Sequence, residues 1–151
     1  PSFRGCLMNT GDCLYGLSEL DVPPFGGAPD RAYVAVGVRH AARGAAAYTS
    51  LMLTTQAGYA VAGHTLTVDE DDGAGGARAF LPADTPGVDD LWLVRFARAC
   101  ADGDAFCRVL APDAFAADDL PYWMERAYLN PQTTIGPDES EYIHVTVLTF
   151  A

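Results

Sequence analysis

The sequence predicts an α+β fold, built mainly from antiparallel β-sheet with one or two helices packed on one side. Hydrophobic and polar residues alternate in several segments of strand length, two later segments carry helix signals, and one more alternating segment closes the chain. Strands followed by helices, with one strand returning at the end, are typical of helices gathered on one side of an antiparallel sheet. No linker or composition shift is visible, so we expect residues 1–151 to form a single compact domain.

Three strands are predicted after a loop at residues 21–30 that is rich in proline and glycine. They cover residues 31–39, 45–55 and 58–68, where apolar residues recur at every second position. Because the connections between them are short, we predict an antiparallel meander. Further strands are predicted at residues 77–81, 106–110 and 142–150.

Residues 89–100 fit two structures. Acidic residues at the start and arginines near the end follow the charge preference of a helix dipole, which favours a helix. The alternation of Trp92, Val94 and Phe96 instead fits a strand. We favour the helix. If the segment is extended, an all-β sandwich with one helical excursion becomes the better description.

Residues 116–129 are predicted to form a second helix. Asp118 or Asp119 would be its N-cap, and Pro121 would lie in its first turn. Pro131 disfavours a helical conformation for the residue before it, so the helix is expected to end there.

The chain is strongly acidic and contains no lysine. Twenty Asp and Glu residues against nine arginines give a formal charge of −11. Such a surface repels phosphate groups, which argues against nucleic acid and anionic membranes as partners. No segment reaches the roughly 18 apolar residues of a membrane helix, so membrane insertion is not expected. The lack of lysine fits either a GC-rich coding bias or selection in a toxin or viral factor.

Four cysteines occur in two pairs of equal spacing, Cys6 with Cys13 and Cys100 with Cys107. Each pair encloses turn-forming residues, so we predict two local disulfides, the second across a hairpin that turns at residues 102–105. Each bridge would close a loop that contributes about 2.5 kcal/mol on the chain-entropy model. Disulfides indicate an extracellular or secreted protein, whereas four reduced thiols would indicate a cytoplasmic one.

Signals for catalysis or cofactors are weak. Nucleophile elbows, phosphate-binding loops and dinucleotide fingerprints are absent, so we expect no cofactor. His64 and His144 lie on predicted strands and would make half of a metal site if those strands were neighbours, but isolated histidines are more often structural, and we predict no metal. Glu125 is the most interesting carboxylate for acid–base chemistry, although a position on a solvated helix face is the favoured explanation.

Tyr122, Trp123 and Arg126 are the predicted binding residues, because Tyr, Trp and Arg are enriched at the centres of protein interfaces. Tyr122 and Arg126 would share one exposed helix face. The alternative for Trp123 is that it anchors the helix to the sheet.

These observations favour an extracellular or virion-surface domain, stabilised by local disulfides, that acts through contacts with another protein. Two alternatives stay open: a small enzyme that uses carboxylates or a histidine-bound metal, and a structural subunit of a capsid, fibre or other assembly. We therefore lean against an enzyme, and an oligomer is compatible with each interpretation.

Overall fold

The chain consists mostly of β-strands in the computed structural model, which describes residues 13–18, 24, 30–55, 61–67, 75–111, 113–116, 118–130, 132 and 142–150. The strands of this part of the chain are β1 (Cys13–Leu17), β2 (Ala32–Val38), β3 (Thr49–Thr55), β4 (Val61–Thr67), β5 (Leu91–Ala97), β6 (Cys107–Val109), β7 (Pro121–Tyr128) and β8 (Thr146–Phe150). Helix is confined there to α1 (Gly76–Phe80) and a single 3₁₀ turn, Val88–Asp90.

The eight strands form two sheets of four. Sheet A has the order β1-β7-β3-β4, and sheet B has the order β6-β5-β2-β8. Neighbouring strands run antiparallel except β5 and β6, which are parallel. The β-rich, antiparallel character predicted from the alternation is therefore confirmed.

The inner faces of the two sheets meet in one hydrophobic core. The Trp123 ring of β7 in sheet A lies 5.3 Å from the Tyr33 ring and 5.8 Å from the Phe96 ring of sheet B, measured between centroids. All three side chains are fully buried. The two sheets thus pack face to face, an arrangement that buries one side of each strand. Other core residues include Ala35, Leu51, Leu53, Leu66, Trp92, Val94, Leu110, Phe115 and Val145.

The predicted meander is only half right. β3 and β4 pair with each other, but β2 belongs to the opposite sheet. Between β2 and β3 the chain turns at residues 40–44 and passes from sheet B to sheet A, where β3 pairs with β7 instead. A short connection thus joins strands of different sheets, which alternation within each strand does not reveal.

The helix predicted at residues 89–100 is wrong. The segment forms β5, preceded by the 3₁₀ turn that contains the two acidic residues. Trp92, Val94 and Phe96 enter the core, so burial of three large side chains outweighs the favourable charge pattern of a helix. The sandwich alternative describes this arrangement better than a sheet with helices on one side.

The helix predicted at residues 116–129 is also wrong, because β7 occupies most of it. Both faces of β7 are buried over its first five residues, so its sequence does not show the apolar–polar alternation of a half-exposed strand. Pro121 is the first residue of the strand, a position where its missing N–H is tolerated.

The remaining errors concern short elements. Residues 77–81 were expected to be extended but largely form α1, which packs with the 3₁₀ turn on the outer face of sheet B. There Ala77 and Val88 cover Leu93. Strand β1 was not predicted, and it adds to the edge of sheet A beside β7.

Candidate functional site

The predicted binding residues lie on β7 but do not form one surface. Trp123 is fully buried in the core between the sheets. Tyr122 points to the opposite face of β7 and is buried with Met52 and Met124. Arg126 is partly exposed. Arg126 shares the outer face of sheet A with Tyr122, because residues four apart on a strand also point the same way.

Arg126 belongs to a group of tyrosines that we call the tyrosine–arginine patch, formed by Tyr15, Tyr48, Arg126 and Tyr128. The Arg126 guanidinium carbon lies 5.2 Å from the Tyr15 ring centroid, a cation–π distance. The rings of Tyr48 and Tyr128 stack at 4.2 Å. Burial raises the pKa of Tyr48, and its hydrogen bond with Tyr128 adds to the shift. The patch is therefore a partly exposed surface whose polar groups largely satisfy one another.

Sequence reasoning missed two members of this patch. Tyr15 and Tyr48 are remote from residue 126 along the chain and reach it through strand pairing, Tyr15 directly opposite Arg126 in the β1–β7 register. Tyr128 is held beside Tyr48 by the backbone, because the Tyr128 N–H donates to the carbonyl of Tyr48. No local pattern indicates such contacts.

Glu125 lies at the centre of a buried polar cluster that joins the two sheets. Its side chain is fully buried. Trp92 of sheet B donates from Nε1 to Oε1 at 3.2 Å, and the Tyr142 hydroxyl donates to Oε2 at 2.7 Å. Buried polar groups need such partners because an unmade hydrogen bond is costly inside a protein.

Two glycines provide the space for this cluster. Gly16 lies opposite Glu125 in the β1–β7 register, and a Cβ atom there would lie 2.6 Å from Cε1 of Tyr142. Gly37 lies opposite Trp92 in the β2–β5 register, and a Cβ atom there would lie 2.7 Å from Cε2 of the indole. Both aromatic rings therefore occupy the volume that a side chain would fill.

His40 extends the cluster towards the connection between β2 and β3. Its ring stacks on Tyr142 at 4.9 Å, and no residue described in the structure hydrogen-bonds its buried Nε2 atom. Burial lowers the pKa of His40, and the positive charge of Arg43 lowers it further. The neutral imidazole is thus favoured in the folded protein.

The cluster links the sheets and offers Glu125 no route to a substrate. Its carboxylate is fully enclosed, and Trp92 and Tyr142 each occupy one oxygen. A general acid or base must lie within hydrogen-bond reach of a substrate proton. We therefore interpret Glu125 as a structural residue, held by donors from two sheets.

The histidine pair considered for metal binding is not brought together by strand pairing. β4, which contains His64, pairs with β3 in sheet A, whereas His144 precedes β8 in sheet B. The His64 side chain lies outside the described residues. In the part of the chain that the structure describes, no group of three or more His, Cys, Asp or Glu side chains is placed to hold a metal ion.

The predicted disulfide between Cys100 and Cys107 is present, with Cα atoms 5.8 Å apart. The predicted hairpin around it is wrong, because β5 and β6 run parallel with Arg95 opposite Cys107. Asp104 holds the intervening loop: it accepts from Arg95 Nη2 at 2.6 Å and from the N–H of Phe106 at 3.0 Å. The turn residues thus close the bridge in a different geometry.

The predicted bridge between Cys6 and Cys13 involves residue 6, which lies outside the described residues. Cys13 itself is buried at the start of β1.

Strand β8 forms one edge of sheet B and exposes apolar side chains. Leu148 is 48% exposed, Phe150 is 51% exposed, and Ile143, just before the strand, is 58% exposed. β8 pairs with β2 on one side, and no described strand pairs with its other side. The edge therefore combines an apolar surface with main-chain groups that no other described strand engages.

No family model, curated protein or solved structure matches this chain.

The two edge strands of sheet B, β6 and β8, differ in length and in charge. β6 has three residues with Arg108 at its centre, and a short, charged edge strand resists pairing with another chain. β8 has five residues, Thr-Val-Leu-Thr-Phe, with no charge and no proline. Its ladder with β2 runs through all five positions without a register shift. β8 thus lacks the short length and the charge of β6 and carries two exposed apolar side chains, Leu148 and Phe150, which makes it the stronger candidate binding surface of the two edges of sheet B.

Proposed function

We propose that this chain is an extracellular or surface-displayed domain that binds another protein, with β8 as its main contact surface. The exposed apolar edge of sheet B carries the proposal. Leu148 and Phe150 are each about half exposed on a strand whose outer edge pairs with no other described strand. Exposed apolar surface rimmed by polar residues is typical of interaction sites.

The extracellular assignment is supported by the disulfide. Cys100 and Cys107 are bonded in the structure, and stable disulfides are rare in reducing compartments. In the described residues no helix has both the length and the apolarity to span a membrane. Thiol titration of freshly isolated, denatured protein tests the assignment: an oxidised protein leaves Cys100 and Cys107 unreactive, whereas four reactive thiols would contradict it.

The binding function is tested with a panel of purified extracellular domains and fluorescently labelled chain. We expect saturable binding to at least one member, and loss of that binding when Leu148 and Phe150 are both replaced by aspartate. Val109 is the matched control, because it is 51% exposed on the opposite edge of the same sheet. Val109→Asp should bind normally. An absence of saturable binding across the panel, or equal effects of both sets of changes, would contradict the proposal.

The exposed apolar edge at β8 also fits a second copy of the chain. The alternative function is therefore that of a subunit in a larger assembly. Sedimentation over a range of concentrations separates the two. We expect a monomer in the absence of partner. A dimer or larger species that Leu148→Asp dissociates would favour the assembly role instead.

A further inference from the structure

We infer that β8 binds an extended segment of its partner as an added antiparallel strand of sheet B, and that this segment carries apolar residues at alternate positions between basic flanks. The inference rests on the proposed function and specifies the mode of binding and the chemistry of the partner. It follows from three independent observations: the main-chain groups of β8, the side chains of β8 and the net charge of the chain.

The main chain of β8 provides half of a ladder. Ala32 to Val36 of β2 pair with Phe150 to Thr146 on one side, which satisfies the N–H and C=O groups of alternate residues. The groups of the other residues point to the side of β8 on which no described strand pairs. A partner strand that hydrogen-bonds them adds affinity through its backbone, whatever its side chains.

The side chains of β8 define where the partner needs apolar residues. Leu148 lies opposite Val34, and Phe150 lies opposite Ala32, so an apolar strip crosses two strands on the outer face of sheet B. Val34 and Ala32 are partly buried, whereas Leu148 and Phe150 are about half exposed. Side chains directly opposite on an added strand would approach to about 5 Å. Apolar side chains at every second position of the partner therefore complete the strip.

The negative net charge of the chain favours a partner segment with basic residues at both ends. β8 itself has no charged residue, but the whole chain carries a formal charge of −11. Several described arginines are already engaged: Arg95 pairs with Asp104, Arg78 pairs with Asp89, and Arg98 donates to backbone carbonyls. The net charge of the whole chain thus favours the approach of a basic segment over that of an acidic one. A second copy of this chain would meet like charge, so we assign the edge to a basic partner.

A synthetic peptide tests the inference directly. The probe is a capped peptide of alternating valine and threonine with lysines at both ends, and its binding to the full chain is followed by fluorescence anisotropy. Two N-methylated versions are compared, each blocking the N–H groups of one edge of the strand. We expect the version blocked on the edge that faces β8 to bind about tenfold more weakly or worse, and the other to bind normally. Equal binding of both versions would overturn strand addition.

The preference for a basic partner is tested with peptides that differ in the charge of their flanking residues and with substitutions of Leu148. A peptide with glutamates in place of lysines should bind about tenfold more weakly, and added salt should reduce this difference. Leu148→Lys should weaken binding of the lysine peptide more than Leu148→Glu does, because both remove the apolar contact and they differ only in charge. Val109→Lys should leave binding unchanged. Preference for the glutamate peptide, or an equal loss in Val109→Lys, would overturn the basic-partner assignment.

The two proposals fail in distinguishable ways. In one outcome, the chain binds a protein of the panel through Leu148 and Phe150 while N-methylation leaves its affinity for the peptide unchanged. In that case strand addition is wrong, and the binding function is supported. If the peptide binds at β8 but no panel protein does, strand addition to β8 is supported and the proposed function is contradicted. Self-association that competes with the peptide would assign the edge to a second copy and overturn the inference.

Discussion

Replacing Gly37 by alanine should break the polar contact that joins the two sheets. The new Cβ atom would lie 2.7 Å from Cε2 and 2.9 Å from Nε1 of Trp92, well inside van der Waals distance. The indole is fully buried, so it has to shift within a packed core. A shift that relieves the overlap also lengthens the 3.2 Å hydrogen bond from Trp92 to Glu125 beyond a useful distance.

The expected loss of stability follows from two costs and one gain. Overpacking of the core costs about 1–3 kcal/mol. Leaving the buried indole N–H and its acceptor unpaired costs about 1–3 kcal/mol more. Alanine is favoured over glycine within a strand by about 0.5–1 kcal/mol, which offsets part of this. The net prediction for Gly37→Ala is a decrease of about 2–4 kcal/mol in the free energy of unfolding.

Urea denaturation followed by far-ultraviolet circular dichroism measures this change in a double-mutant cycle with Trp92→Phe. Phenylalanine removes the atoms that collide with the new Cβ and also removes the N–H donor. Gly37→Ala should therefore cost about 1–3 kcal/mol less in the Trp92→Phe background than in the wild type. A cost that is equal in both backgrounds, or below about 0.5 kcal/mol in the wild type, would refute the reasoning.

Gly44→Ala is the matched control for this cycle. Gly44 has φ of 73° with open space around its Cβ position, so alanine there meets backbone strain and no collision. Its cost of about 1–2 kcal/mol should be the same in both backgrounds.

Three further predictions test other parts of the structure. Replacing Cys100 and Cys107 by serine should lower the free energy of unfolding by about 2.5 kcal/mol, measured against the oxidised wild type in urea; an unchanged midpoint would contradict it. Folding lowers the pKa of His40 below 6.5, so the folded state binds fewer protons than the unfolded state. The free energy of unfolding should therefore fall as the pH drops through 6.5 and level off below the folded pKa. His40→Gln should flatten this dependence in thermal melts, and an identical profile would be evidence against it. Asp104→Ala should cost about 1–3 kcal/mol through loss of the bonds to Arg95 and to the loop backbone, whereas an effect equal to that of Asp104→Asn, which keeps an acceptor, would argue against this role.

Strands with alternating apolar residues were the most predictable part of the fold. β2 lies within residues 31–39, where the alternation reflects burial on one side, and β8 lies within residues 142–150. β7 was mistaken for a helix because its first five residues are buried on both faces, which removes the alternation. β5 was mistaken because acidic residues before it belong to a 3₁₀ turn and resemble a helix start.

The sites were predictable only where their parts are local. The Cys100–Cys107 bridge follows from spacing and turn residues. The cluster around Glu125 depends on Trp92 from the other sheet and on Tyr142, and its space depends on Gly16 and Gly37. These contacts are fixed by strand order across two sheets, which no single segment encodes. The importance of β8 as an edge likewise appears only once the sheet order is known.

Hydrogen–deuterium exchange of the full chain, with and without the lysine-flanked peptide, tests the central claim most directly. The claim is that β8 is the surface through which this protein binds its partner. We predict that the peptide slows exchange at backbone amides of residues 146–150, because added-strand hydrogen bonds protect them, and leaves the tyrosine–arginine patch unchanged. Protection centred on β1 and β7, or binding without any protection of β8, would contradict the claim.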